Sequence, residues 1–477
     1  MLWACLHFAD FSLQLILRGG AVTHPLVITT GGNRPEVVSC NPEARRQGIT
    51  PGMTVSAAIA LAPELVERLH EPTAEQKALE GIAAWAGQFT SVVSLAPPDD
   101  LLLEIAGSLR FFGGLRSLLL DIARELAALG YTAAIGVAPT PGAARLLARA
   151  GMSSTITDPS ALKDALAGLP LCLLDQSEET LRMLELMGVR TVGECLELPR
   201  DGLARRFGQG LLDELDRALG KLPDPRAPWI APSRYRAQLP LPVPVQETEP
   251  LLFAANRLIQ ELTGFLRMRQ IGITQLKLIL HHEERKPTPV ILGLSVPSRD
   301  PQRILRLLRE RLSALPLPGR VESITLESAE VRPLGSRNLS LFPEDRLPEE
   351  ERWLIIEHLR ARLGSEAVYS IASHADHRPE QAWRCCEPGT AEDGGERLPR
   401  PLWLVEPPQR LRSEDGAPML QGPLDLLSGP ERIESGWWDD ADIRRDYFVA
   451  RDAAGLSLWL FREHGEEKAW YLQGLFT

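Results

Sequence analysis

No stretch of this 477-residue chain strings together the ~18 apolar residues that a membrane-spanning helix needs, so no membrane span is expected. The stretch from Met1 to Ile16 is apolar but has no basic region, and His7, Asp10, Ser12 and Gln14 interrupt it with the alternation of a strand. A buried strand is expected there rather than a signal peptide. Cysteine is scarce as well. Cys5, Cys40, Cys172, Cys195, Cys385 and Cys386 follow no framework spacing, which argues against a disulfide scaffold and for a reducing, cytoplasmic setting. His374, His377, Cys385 and Cys386 fit no zinc spacing, and adjacent cysteines diverge, so no metal centre is expected from them.

What is present is ordinary for a globular protein: 44% hydrophobic and 24% charged residues, in a chain long enough for roughly three or four domains that each bury a core. Positive charge is short overall. The net charge of −11 argues against a nucleic-acid partner until its distribution is counted. Residues 1–232 carry 20 basic and 26 acidic side chains (net −6), residues 233–337 carry 16 and 10 (net +6), and residues 338–477 carry 16 and 27 (net −11). One basic module between two acidic ones is better explained by a phosphate partner than by solubility.

Several blocks recur in a fixed order. The first is Leu6-His7-Phe8-Ala9-Asp10-Phe11. The second is Val37-Val38-Ser39-Cys40-Asn41-Pro42-Glu43-Ala44-Arg45-Arg46-Gln47-Gly48-Ile49, followed by Pro51-Gly52-Met53. Asp99-Asp100 then precedes the apolar run Leu101 to Ile105, Gly136-Val137-Ala138-Pro139 leads into a helix, and Met187-Gly188-Val189-Arg190-Thr191-Val192-Gly193-Glu194 and Arg205-Arg206-Phe207-Gly208 close the series. Each block is weak alone, but collinear over about 230 residues they form a specific signal. In that order they resemble the Y-family (translesion) DNA polymerases, and over essentially the full length the chain resembles the ImuB-type subgroup of that family.

The resemblance implies a site with several groups changed. In the family the first palm strand carries V-D-M-D, whose first carboxylate holds two magnesium ions, and here that position is His7. A neutral imidazole is a soft, single-point donor that cannot bridge two hard cations. A Tyr and an Arg of the fingers hold the incoming triphosphate. Arg45 keeps the forked cation, whereas Pro42 has neither a hydroxyl nor a backbone donor. Asp99 and Asp100 stand at the family's second pair of carboxylates, after Pro97-Pro98. The two lysines of the next block become Pro141 and Arg145, so Arg45 and Arg145 are the remnants of phosphate binding. Asp175-Gln176-Ser177 replaces a glycine hairpin whose amides bind a DNA phosphate, and an acid there would repel it.

The fold expected is a multidomain α/β right hand. Palm (1–165, with fingers inserted at about 25–75), helical thumb (166–232), little finger (233–335) and a linker (336–346) precede a C-terminal region (347–477) that ends in a small β-module. Helices are expected at Thr73 to Phe89, with Thr73 and Gln76 as a capping box, and at Gly114 to Leu129. The Pro-rich run Pro223 to Pro228 reads as a linker. The basic module should run helix (Pro250 to Arg269), strand (Ile273 to His281), strand (Pro289 to Ser295), helix (Gln302 to Leu315), strand (Ser323 to Val331). In its second helix Ile304, Leu305, Leu308 and Leu312 form the buried stripe. Arg303, Arg306 and Arg309 face outward, with Arg267 and Arg269 at the end of the first helix, either as DNA contacts or as solvated helix faces.

Ser336-Arg337-Asn338-Leu339-Ser340-Leu341-Phe342-Pro343 resembles the bacterial sliding-clamp-binding pentapeptide Q-L-S-L-F, with Asn338, Leu339, Ser340, Leu341 and Phe342 as the contact residues. Three large apolar side chains in a linker need a partner to bury them, and the alternative is a final strand of the preceding domain. Beyond it, Glu349 to Leu363 reads as a helix and 387–430 as largely irregular. Trp437-Trp438 is a core pair or a partner surface, with at least one ring expected in the core.

Together these imply a cytoplasmic, catalytically inactive polymerase homologue without a cofactor, serving DNA-damage tolerance and SOS mutagenesis. Its partners would be primer-template DNA, the sliding clamp (the β subunit), an error-prone replicative-type DNA polymerase and the RecA-related ImuA protein. The alternative is an active translesion polymerase with magnesium on Asp99, Asp100 and either Asp10 or Glu104. Asp10, three positions after His7 on one strand, would face away from the site.

Overall fold

A computed structural model of the chain describes every residue except 21, 152, 284, 335–352, 354, 357, 358, 361, 389–399, 440, 466, 467 and 477. The chain divides into two compact units, Met1–Arg362 and Leu363–Thr477. The clamp-like peptide, Asn338 to Phe342, and most of the helix expected at Glu349 to Leu363 lie outside the described residues.

The first unit opens with β1 (Trp3–His7) and α1 (Phe11–Leu17). The fingers follow as β2 (Leu26–Thr29), β3 (Val37–Cys40), α2 (Pro42–Arg46), α3 (Val55–Leu61) and β4 (Val66–Leu69), with β2 between β3 and β4. The palm resumes with α4 (Pro72–Ala86), β5 (Val93–Ala96), β6 (Asp100–Glu104), α5 (Leu115–Ala128), β7 (Ala134–Ala138) and α6 (Pro141–Arg149). Its antiparallel sheet has the order β5-β6-β1-β7. Alternation along the strands divides the side chains between two cores. Ala4, Leu6, Leu101 and Leu103 pack toward α4 and α5, while Trp3, Cys5 and Leu102 pack toward α6 and the thumb. The same parity puts His7 and Asp100, which are register partners, on the thumb side.

Helix α7 (Leu162–Ala167) leads into the segment expected as the thumb, which holds α8 (Glu178–Leu186), α9 (Val192–Glu197), α10 (Arg200–Phe207) and α11 (Gln209–Ala218). Thr191 and Glu194 form a capping box at α9. The little finger is β8 (Arg236–Val245), α12 (Thr248–Arg269), β9 (Ile271–His282), β10 (Thr288–Ser298), α13 (Pro301–Ser313) and β11 (Val321–Pro333), with sheet order β10-β9-β11-β8.

Helix α12 packs on α4 of the palm at close range. A Cβ on Gly264 would lie 2.6 Å from the Trp85 ring and 2.9 Å from the Trp85 Cα, so only glycine fits there, and one on Gly81 would press on the Glu261 carboxylate. A buried ionic network crosses this junction. Arg18, at the end of α1 and 2% exposed, donates to Glu261 Oε2 of α12 at 3.0 Å and to the hydroxyl of Tyr131. Tyr235 donates its hydroxyl to Glu261 Oε1 at 3.0 Å. Burial, opposed by the Arg18 charge, pushes the Tyr131 hydroxyl up to about 12, so it stays protonated at neutral pH.

The second unit is mostly β. The pair β12 (Ser370–Ser373) and β13 (Trp383–Cys386) is followed by β14 (Trp403–Arg410), β15 (Arg412–Glu414), β16 (Ala417–Met419), β17 (Asp425–Ser435), β18 (Ile443–Arg451), β19 (Ser457–Glu463) and β20 (Trp470–Leu475). Five strands form an antiparallel sheet, β14-β20-β19-β18-β17, with apolar clusters around Leu458, Leu460 and Leu472 and around Tyr447, Trp459 and Phe461.

Several expectations are corrected. Only Trp3–His7 of the N-terminal stretch is strand, and Phe11–Leu17 is helix. Helix α4 starts at Pro72 with no side-chain cap, and Gln76 bonds Glu80 instead, so Thr73 forms no capping box. The strand β8 escapes the sequence pattern because Pro240, Pro242 and Pro244 argue against a strand, but β8 lies at a sheet edge where proline is tolerated. In α13 Leu307 completes the buried stripe and Leu305 is only partly buried. The segment 387–430 is not largely irregular, since β14, β15, β16 and the start of β17 fall in it. Pro407 and Pro408 of β14 and Pro430 of β17 again sit on edge strands.

Breaking a buried ion pair by removing one partner costs more than deleting both. Arg18→Met should lower unfolding stability by about 3–5 kcal/mol, and Arg18→Met with Glu261→Leu should recover most of it. Urea unfolding of the full chain checks this. A loss below about 1 kcal/mol for the single variant would place the pair in solvent.

Candidate functional site

Asp100 is the centre of the site. It begins β6 opposite His7 and has no solvent exposure. An ionised carboxylate there needs donors on both oxygens. His7 Nδ1 lies 2.8 Å from Oδ1, and Oδ2 accepts from Arg145 Nε at 2.6 Å and Arg149 Nε at 2.9 Å. The two arginines are one helical turn apart on α6, so both reach the same face. Their outer nitrogens turn to the thumb: Arg149 Nη1 donates to Asp175 Oδ1 at 2.7 Å and to the Leu173 carbonyl at 3.1 Å, and Arg145 Nη1 donates to Asp175 Oδ2. Two guanidiniums are thus held between a palm carboxylate and a thumb carboxylate.

Helix α6 is placed by local chemistry. Thr140 caps it by accepting from Ala143 N, and Pro141 takes the first position, where a missing N–H costs nothing. The thumb segment is satisfied internally as well. Asp175 N and the Gln176 amide donate to Glu214 at 2.7 and 2.6 Å, and Ser177 caps α8.

Electrostatics separate the two neighbouring acids. Burial opposes the charge of Asp100, but the His7 hydrogen bond and the Arg149 and Arg145 guanidiniums outweigh it and hold the carboxyl below its ordinary range. Asp99 goes the other way, pushed up by burial and by the charge of Asp100. Its Oδ2 is 3.8 Å from His7 Nδ1, and its buried Oδ1 has no hydrogen-bond partner. Burial, then Asp100, also raises the thiol of Cys5 beneath the site, so it stays neutral.

His7, Asp99 and Asp100 offer ligand atoms within 4.8 Å of one another, the one such cluster among the described residues. These residues do not fit a pair of magnesium ions. Both oxygens of Asp100 are committed to nitrogen donors, two fixed guanidiniums lie where cation charge would be needed, and His7 is the wrong donor for magnesium.

The other expected residues lie in separate places. Asp10 is not on the strand, which ends at His7, so alternation does not set its direction. It takes a left-handed conformation ahead of α1 and pairs with Arg45 Nη2 at 2.8 Å. Glu104 is at the far end of β6, accepting from Leu2 N. Arg267 reaches the palm, to Gln88 at 3.0 Å and Glu125 at 3.6 Å, and Arg269 lies over Phe265. On α13 Arg306 is exposed and Arg309 pairs with Glu249 at 3.5 Å. The sequence reading missed Arg149 and the Asp175 clamp. The spacing of Arg145 and Arg149 was the available signal.

Residues 8–149, which hold the site from Asp99 to Arg149, match the model of the impB/mucB/samB family. Protein ImuB of Caulobacter vibrioides is 29% identical over 462 residues, covering 90% of this chain and 100% of that protein. The chain is thus similar to ImuB over nearly its whole length, and to the Y-family polymerases over its first part. DNA polymerase IV of Shewanella loihica is 26% identical over 251 residues, covering 50% of this chain and 68% of that polymerase. Among solved structures, the insertion ternary complex of Dbh DNA polymerase aligns at a TM-score of 0.40 and 20% identity, over 69% of this chain and 98% of that one. The site itself sits at one end of the β5-β6-β1-β7 sheet, where His7 and Asp100 are register partners.

The two acids should respond oppositely to neutralisation. Asp100, with its folded value depressed, contributes stability above the unfolded value of about 4 and loses it as pH falls through the folded one. Asp99, with its folded value raised, costs stability above that value and nothing below the unfolded one. Asp100→Asn should therefore destabilise at pH 7 by on the order of 3 kcal/mol, Asp99→Asn should stabilise, and both differences should shrink toward pH 3. Urea unfolding across pH checks this. Equal effects of the same sign would contradict the assignment.

Proposed function

We propose that this ImuB homologue is a catalytically inactive adaptor in DNA-damage tolerance. Three features support the reading. The palm carboxylate that a magnesium pair would need is hydrogen-bonded by two arginines and a histidine. The little-finger module is the basic part of an acidic chain. A clamp-like peptide, Asn338 to Phe342, follows it. The carrying observation is the first, the double arginine contact on Asp100.

In this reading the little finger and palm hold primer-template DNA through phosphate contacts, with weak sequence preference and strong salt dependence. The pentapeptide docks on the sliding clamp, and joining a weak DNA contact to a clamp contact gives avidity that neither has alone. The acidic C-terminal region recruits an error-prone replicative-type polymerase and a RecA-related protein, in the cytoplasm. No cofactor is required. No helix among the described residues is long and apolar enough to cross a membrane.

Primer extension by the full chain, with magnesium or manganese, tests the reading. Incorporation should not exceed background, and Asp99→Asn, which keeps the fold, should change nothing. Extension that Asp99→Asn abolishes would establish an active polymerase.

Clamp docking is tested separately. Burying Leu341 and Phe342 in a partner pocket is worth roughly 3–5 kcal/mol, so Leu341→Ala with Phe342→Ala should weaken clamp affinity by on the order of a hundredfold or more. The melting temperature should hardly move. Asn338→Gln should bind as well or better. A double variant that melts several degrees lower yet holds the clamp would make residues 338–342 a structural strand.

A further inference from the structure

We propose that the loop joining β17 to β18 is a docking site for a basic protein segment with apolar anchors. The inference rests on the reading above that the C-terminal region recruits partners, and it names the surface and the chemistry of what binds there.

Trp437 and Trp438 stand out from this loop, 79% and 57% exposed, which corrects the expectation that one of them fills the core. Their rings meet edge to face, with centroids 5.6 Å apart at 84°. Two exposed indoles are unfavourable in water unless something covers them. The loop that carries them is tied down at Asp439 and Ala441. Arg378, 5% exposed, donates from Nη1 and Nη2 to the two oxygens of Asp439 at 2.9 and 2.6 Å, from Nη2 to Asp376 Oδ2 at 2.7 Å, and from Nη1 to the Ala441 carbonyl at 3.4 Å. Its guanidinium also lies 5.6 Å from the Trp438 ring centroid. A buried, fully bonded arginine therefore anchors the loop just beyond the two rings, which lowers the ordering cost of binding through them.

Charge identifies the partner. From Glu434 to Asp442 the sequence has four acids and no base. Arg378 is shared between Asp376 and Asp439, and Arg444 lies 3.4 Å from Asp442 and opposite Glu434 in the strand register, so in this described set four acids face two bases. Bases could stack on tryptophan, but a phosphate backbone would be repelled, and an anionic lipid surface likewise. A peptide with an aliphatic side chain against the indoles and lysines or arginines facing the acids satisfies both features.

The test uses the full chain and a labelled amphipathic lysine–leucine helix, with a glutamate–leucine helix, an oligothymidine and phosphatidylserine vesicles as comparisons, all followed by fluorescence anisotropy or sedimentation. The lysine–leucine helix should bind, more weakly as salt rises, and the others should not. Trp437→Ser with Trp438→Ser should reduce affinity at least tenfold with no change in melting temperature, since both rings are exposed. Asp442→Lys should reduce it too. Unchanged binding by the double variant, or a preference for the oligothymidine or the vesicles, would overturn the proposal. Neither tryptophan is near the palm or the clamp-like peptide in sequence. Peptide binding lost with clamp binding intact therefore supports this site, whereas primer extension by the unmodified chain would defeat the adaptor reading without touching it.

Discussion

A carboxylate with no exposure to water must be neutralised from within the protein, and Asp100 is neutralised by two arginines rather than left open to cations. Much of the palm–thumb geometry follows from that. Arg145 and Arg149 come from α6, which shares an apolar core with the thumb helices, and their outer nitrogens find Asp175 on the thumb side. The same pair of side chains therefore satisfies the palm and ties the thumb to it. A position at which the family resemblance expects mobile cations has become a fixed ionic joint.

A second joint of the same kind fixes the little finger. Arg18 and Glu261 are buried together with Tyr131 and Tyr235, and the helices on either side meet through glycines. Charges removed from water in this way add geometric definition more than net stability. The proposed adaptor role would benefit from that definition, because avidity through two sites requires them to be held at a workable separation. A polymerase that must close on each nucleotide would gain less from it.

Much of this was legible in the sequence, and the parts that were not share a cause. The helices and strands of the little finger follow from periodicity, and His7 stood out because it departs from a motif. Strand β8 was hidden by Pro240, Pro242 and Pro244, since composition does not say which strands lie at edges. The strands between 403 and 435 were hidden the same way. Arg149 was within view as the partner of Arg145 one turn along α6, but its contact with Asp175 spans 26 residues, and no local pattern encodes it. The exposure of Trp437 and Trp438 was equally hidden, because whether an aromatic pair enters a core depends on the strands around it.

Fixed guanidiniums, not divalent ions, balance the charge of Asp100. Manganese is the most direct probe, because its free hexaaquo ion gives a six-line electron paramagnetic resonance spectrum that disappears on binding. Titrated into the full chain, manganese should show no saturable loss of the free signal that depends on Asp99 or Asp100, and Asp99→Asn should give the same curve as the unmodified protein. A saturable site that Asp99→Asn removes would contradict the account.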